Sequence, residues 1–258
     1  MFPIPGLERS EVLHFGGNGH ASTRLDAARA ALARRPGTPV LVDVPYPGFE
    51  GRPRAASRDA FFVAVGAFCR GRGGAVAGYA SGIGALIALA LRARGDLEAL
   101  PLIFQGPVLW GLETRAFPKV MRAVPGARGL LEWAFTRESF RGHFARKHFR
   151  KPLTGGARDR FFEGYTRCAA FGDFFEWFDP AFLRDLERRF AGRREALGGV
   201  TVWLGGLDRV VGPGEVTATA RALGVNWPVV GFPGWGHYPM IDEPEGWADA
   251  LCEALAVR

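Results

Sequence analysis

Lysine is almost missing from this chain. Three lysines stand against thirty arginines, a bias that identifies no ligand by itself. Cysteine is equally scarce: Cys69, Cys168 and Cys252 are odd in number and far apart. That excludes a disulfide framework and a paired thiolate metal site, and it fits reduced thiols in a cytoplasmic protein. The opening residues, Met1 to Arg9, lack a basic stretch followed by an apolar one, so no secretory leader is expected. A membrane span is also unsupported. The charge-free stretch 73–91 holds five glycines and reads as a buried strand, a tight turn and a buried helix.

The remainder is globular in composition. With 258 residues, 48% hydrophobic and 23% charged, the chain is neither disordered nor fibrous, and it is long enough for a sizeable core. A net charge of +7 raises nucleic acid, a membrane surface or an anionic substrate as partners. No nucleic-acid recognition motif accompanies the charge, so a nucleic-acid role is not expected. Gly16-Gly17-Asn18-Gly19 lacks the spacing of a phosphate-cradling loop, and no cofactor is called for.

Short apolar runs alternate with helix-like segments. Strands are expected at 12–15, 40–44, 75–78, 100–105, 200–204 and 228–232, with helices near 21–34, 58–69, 82–94, 214–223 and 244–256. Such alternation predicts an α/β fold with a mostly parallel, doubly wound sheet. Residues 111–195 differ. They hold sixteen of the 32 aromatic residues, at helical spacing and with no strand run. We read 1–110 and 196–258 as the core and 111–195 as a helical cap inserted between two strands.

Three segments carry the chemistry. Gly78-Tyr79-Ala80-Ser81-Gly82 lies between a strand and a helix, Asp208 follows the strand ending at Leu204, and His237 precedes the last helix. The order elbow, acid, histidine resembles that of the α/β-hydrolase superfamily, in its lidded branch of esterases, thioesterases and carbon–carbon bond hydrolases. His14-Phe-Gly-Gly-Asn-Gly resembles that family's oxyanion loop, and the segment from His237 through Pro239 and Met240 to Pro244-Glu-Gly-Trp247 resembles its histidine loop. Only eleven residues precede the first expected strand, so the family's first two strands are expected to be missing or vestigial.

The elbow departs from the family's Gly-x-Ser-x-Gly. Between Gly78 and Gly82 the central residue is Ala80, which puts alanine at the nucleophile position and Ser81 one place late. Three explanations are open: an introduced substitution in a working hydrolase, a natural protein using the pocket without acyl transfer, or a shifted elbow in which Ser81 attacks. In the intact enzyme the resemblance implies hydrolysis of an ester, thioester or similar acyl bond of a hydrophobic small molecule. A hydroxyl at position 80 would attack, His237 would take its proton, and Asp208 would orient His237. Amides near Gly16 or Gly17 and at Ser81 would form the oxyanion hole. The non-hydrolytic alternative uses His237 and Asp208 as a general base, or binds a small molecule without turnover.

Other residues have plainer readings. His14 would brace the oxyanion loop, and Asp43 would start a turn. Tyr79 and Trp110 would line the substrate pocket or sit in the core. His20, His143 and His148 have no metal-ligand partner at a useful spacing, so no metal is expected. The whole +7 excess falls in 111–195, where 18 basic residues face 11 acidic ones. A solvated cap surface accounts for it. The sharper expectation is attraction of an anionic substrate.

Overall fold

Six short runs rich in Val, Leu, Ile and Phe pair into one sheet in the computed structural model, which describes residues 10–97, 100–113, 115–151, 153 and 155–256. Residues 1–9, on which the leader was judged, lie outside the described residues. The elements alternate: β1 (Glu11–Phe15), α1 (Asp26–Ala33), β2 (Val40–Asp43), α2 (Arg58–Arg70), β3 (Ala75–Ser81), α3 (Gly84–Ala93) and β4 (Leu102–Gln105). Six helices follow: α4 (Ala116–Ala123), α5 (Ala127–Ala134), α6 (Glu138–His148), α7 (Gly155–Thr166), α8 (Asp173–Trp177) and α9 (Pro180–Ala191). The chain then returns through β5 (Val200–Gly205), α10 (Pro213–Leu223), β6 (Val229–Phe232), α11 (Pro239–Asp242) and α12 (Pro244–Ala256).

The sheet order is β2-β1-β3-β4-β5-β6, with every pairing parallel. From β1 the chain goes first to one side (β2) and then to the other (β3). The crevice beyond the carboxyl ends of β1 and β3 is therefore the switch point where such sheets bind ligands. Period-two alternation gives the sheet two cores. Phe15, Ala80, Phe104 and Val202 face one; Val12, Tyr79, Ile103 and Trp203 face the other, under α1 and α12.

β3 runs three residues further than the sequence pattern suggests, and this changes the site. Gly78 is inside the strand, where a Cβ would stand 2.6 Å from Leu102 Cδ2 and 3.1 Å from Phe15 Cε2. It is glycine because neighbouring strands crowd it, and no turn occurs there. The turn comes at Gly82, with φ +56°. Gly84 then opens α3 so close to β1 that a Cβ would meet the Phe15 carbonyl oxygen at 2.0 Å.

The helices between β4 and β5 gather their aromatic side chains into a cluster around Phe135, which stacks on Tyr165 at 4.3 Å between ring centroids. Each such pair contributes about 0.5–1.5 kcal/mol beyond area burial. Two arginines from the connections after β1 and β2 fasten this layer to the core. Arg24, buried, donates to the Phe161 carbonyl at 3.0 and 2.6 Å and lies 4.0 Å above the Phe161 ring. Arg54 pairs with the fully buried Asp173. Among the described residues, no helix is long and apolar enough to cross a membrane.

Candidate active site

Asp208 and His237 meet at the carboxyl end of the sheet. His237 Nδ1 donates to Asp208 Oδ2 at 2.9 Å, which leaves Nε2 as the free lone pair. Asp208 Oδ1 accepts the amides of Val210 (2.7 Å) and Val211 (3.0 Å), so the carboxylate cannot swing away. Burial alone would raise the Asp208 pKa. The charge and hydrogen bond of His237, with those two amides, reverse this and hold it below the usual carboxylate range. Gly106, at the end of β4, gives the pair its room: a Cβ there would stand 2.8 Å from Asp208 Oδ2.

His237 Nε2 faces Gly82. A Cβ at Gly82 would stand 3.7 Å from that nitrogen, and Gly82 takes a positive φ in the turn between β3 and α3. Both are the properties of a nucleophile position on an elbow. The spacing is then Ala80-Ser81-Gly82-Ile83-Gly84, two residues later than the sequence suggested. The assignment of Ala80 is corrected accordingly. Ala80 is fully buried in the strand, opposite Phe15 and Phe104 in the sheet register, with its methyl group in the core.

Ser81 does not reach His237. It faces the opposite side, where its hydroxyl lies 3.4 Å from His14 Nε2. His14 Nδ1 donates to Asp43 Oδ1 at 2.7 Å, His20 Nε2 donates to the same oxygen at 2.9 Å, and Arg29 pairs with Oδ2. Ser81, His14 and Asp43 thus copy the order of a catalytic triad, but Ser81 and His14 are buried and neither lines the cavity described below. The network instead ties β1, β2 and the elbow together. It also corrects the reading that His20 lacks ligand-type partners, since the potential ligand atoms of His14, His20 and Asp43 lie within 4.8 Å of one another. Those atoms already satisfy one another by hydrogen bonds, and the Arg29 guanidinium on the same carboxylate opposes a cation there.

The cavity above Gly82 measures about 660 Å³. Its floor is Gly17, Asn18, Gly82 and Ile83, and its walls include Val108, Leu112, Phe135, Phe171 and Phe175. An oxyanion hole built on this elbow would use amides near Gly17 and Asn18 and the amide of Ile83, the residue after the turn. Gly17 therefore stays at the site, whereas Gly16 and Ser81 leave it. Gly16 is glycine because a Cβ would collide with the His20 ring, 2.1 Å away. Tyr79 and Trp110 are core residues and do not line the cavity. Tyr79 is buried between His14, Trp203 and Trp247, and Trp110 bonds Glu187 through its indole N–H.

Residues that sequence reading passed over also line the cavity: Asn18, Ile83, Tyr165, Tyr238 and His148. The later glycine, Gly84, was the available signal for the shifted elbow. For His148 no local signal exists, because α6 brings it to His237 only in the folded chain. Arg115 lines the cavity too, clamped by both Glu215 carboxylate oxygens at 2.8 Å.

Two buried histidines give the fold a pH signature. Burial lowers the pKa of His14 to about 4, despite its bond to Asp43, and lowers that of His148 to about 3, aided by the charge of His237. Both are neutral in the folded chain and gain protons on unfolding below their ordinary value of 6.5. Stability is therefore expected to fall as pH drops from about 6.5 towards 4, with a maximum slope of about 1.4 kcal/mol per pH unit for each histidine. Urea unfolding of His148→Phe between pH 7 and 4.5 checks this. The variant should lose part of the slope, and an unchanged slope contradicts the assignment.

Comparisons with known proteins agree with this architecture. A family model described as the alpha/beta hydrolase family matches residues 12–250. No curated protein matches the chain by sequence. Among solved structures, an alpha/beta hydrolase fold protein from Burkholderia ambifaria superposes with a TM-score of 0.71 at 17% identity, covering 95% of this chain and 91% of its own. A haloalkane dehalogenase loop variant from Bradyrhizobium elkanii gives 0.69 at 15% identity, covering 96% and 89%. A membrane phospholipase A, described as a bacterial virulence factor, gives 0.66 at 19%, covering 96% and 79%. At these identities the likeness is one of fold.

Proposed function

For a chain that belongs to the alpha/beta hydrolase family, we propose an enzyme in which His237 acts directly as a general base on a small, mainly apolar carbonyl compound, with no covalent intermediate. The observation that carries this reading is Gly82 in front of His237 Nε2. Covalent hydrolysis needs a base, an oxyanion hole and a nucleophile. Gly82 supplies no nucleophile, Ala80 is in the core and Ser81 faces His14. Proton abstraction from a carbon beside a carbonyl needs only the other two. His237 takes the proton on Nε2, the C–H electron pair forms a C=C bond, and the carbonyl π pair moves onto oxygen. Asp208 orients the ring and stabilises the imidazolium. The reaction class is that of a lyase or isomerase.

Hydrolysis of an ester or thioester is the second reading. It is favoured by the room that the missing Gly82 side chain leaves beside Nε2, where a water could replace a serine hydroxyl. On either reading serine-hydrolase turnover is expected to be absent. Lys147 and His143 line the cavity from α6, which would suit an anionic group at the far end of a substrate.

The test is α-proton exchange of small aryl ketones in D₂O, followed by proton NMR. Exchange is expected with the chain as it stands and should fall at least about a thousandfold in His237→Ala. Exchange that survives this substitution removes His237 as the base. Turnover of nitrophenyl esters with no ketone exchange moves the function to the hydrolytic reading.

A further inference from the structure

His148 closes α6 and lines the cavity beside the dyad, with its ring centroid 5.8 Å from that of His237. Its Nδ1 lies 2.8 Å from the Phe144 carbonyl oxygen. A carbonyl only accepts, so Nδ1 carries the proton and Nε2 is a lone pair. Stacking on Phe144, 3.7 Å between centroids and 6° between planes, holds the ring in place. Among the described residues Nε2 has no hydrogen-bond partner.

From this geometry we propose that His148 is a specificity-determining acceptor, and that the substrate is an α-hydroxycarbonyl compound whose hydroxyl donates to His148 Nε2 while the adjacent carbon loses its proton to His237. The inference rests on the general-base reading and names its substrate class. An O–H donor complements a fixed lone pair. A carboxylate at that spot would meet two lone pairs at once, and an ether would leave the acceptor unpaired. Burial keeps His148 neutral near neutral pH, with a pKa lowered to about 3, so it accepts there and does not act as an acid. The aromatic walls fit an apolar body.

The experiment compares 2-hydroxyacetophenone with 2-methoxyacetophenone, by α-proton exchange in D₂O and by ligand-observed NMR affinity. With the chain as it stands, the hydroxy ketone should be favoured at least about tenfold in both readouts. In His148→Phe the ratio should fall to near one. His148→Gln also loses the bond to Phe144 but keeps an acceptor, so it should retain part of the preference. Three results overturn the proposal: equal affinity for the two ketones, a preference that survives His148→Phe, or a preference lost equally in His148→Gln. Failure of the general-base reading looks different, since exchange is then absent while the affinity preference for the hydroxy ketone persists.

Discussion

Gly82→Ser is expected to create ester hydrolysis where none exists, whereas Ala80→Ser is expected to create none. A Cβ at position 82 stands 3.7 Å from His237 Nε2, so a hydroxyl one bond further out comes within hydrogen-bond reach of a base already oriented by Asp208. Serine must then adopt the φ of +56° that glycine holds now, a conformation costing about 1–2 kcal/mol. Elbows in this family carry such strain as part of the site. With the remaining parts in place, turnover of short-chain nitrophenyl esters should rise at least about a hundredfold over the unsubstituted chain. At position 80 the same hydroxyl would enter the core beside Phe15 and Phe104, at a residue that does not line the cavity. Ala80→Ser should instead lower stability by about 1–3 kcal/mol for an unpaired buried hydroxyl. Ester turnover by the position-80 variant, with none from the position-82 variant, would return the elbow to the earlier register.

Asp43→Asn is expected to cost about 1–3 kcal/mol, the penalty for leaving largely buried hydrogen-bonding groups unsatisfied. Asp43 accepts from His14 and His20 on one oxygen and pairs with Arg29 on the other. An amide turns one of these acceptors into a donor aimed at another donor, while Arg29 keeps its bond to the Ser22 carbonyl and its pairing with Asp26. The Asp43 pKa supports the assignment. Burial would raise it, but the charge of His20 and the hydrogen bonds from His14 and His20 depress it far below the usual carboxylate range. A carboxylate with a lowered folded pKa stabilises above its unfolded pKa, so this contribution is present at neutral pH and is lost in strong acid. Urea unfolding at pH 7, with the slope unchanged, measures the cost. A change below about 0.5 kcal/mol would show that the network does not hold β1, β2 and the elbow together.

The alternation of strands and helices was legible in the sequence because each strand contains a short apolar run, buried on both faces in the inner strands β3 and β4 and still apolar in the exposed edge strand β6. The dyad was legible for a similar reason: Asp208 and His237 each follow a strand in chain order. The elbow register was not. Gly78 and Gly82 frame a plausible motif, and so do Ala80 and Gly84. What separates the two is crowding of Gly78 by Leu102 and Phe15 and of Gly84 by the Phe15 carbonyl, contacts between strands distant in sequence. No local signal decides between cavity and core for Tyr79 and Trp110; strand alternation puts Tyr79 in the core under α12, and Trp110 is buried in the other core with its indole N–H on Glu187. His148 depended entirely on how α6 packs. Of the basic residues behind the +7 balance of residues 111–195, Arg115 and Lys147 line the cavity.

A side chain able to react with His237 would have to stand at position 82. Covalent labelling tests it without knowledge of the substrate. The unsubstituted chain, Gly82→Ser and Ala80→Ser are each treated with an ethyl fluorophosphonate probe, and the adduct is located by intact mass and peptide sequencing. One adduct is expected, at position 82 of Gly82→Ser, abolished when His237→Ala is added, with the other two proteins unlabelled. An adduct on Ser81 of the unsubstituted chain, or at position 80 of Ala80→Ser, would contradict it.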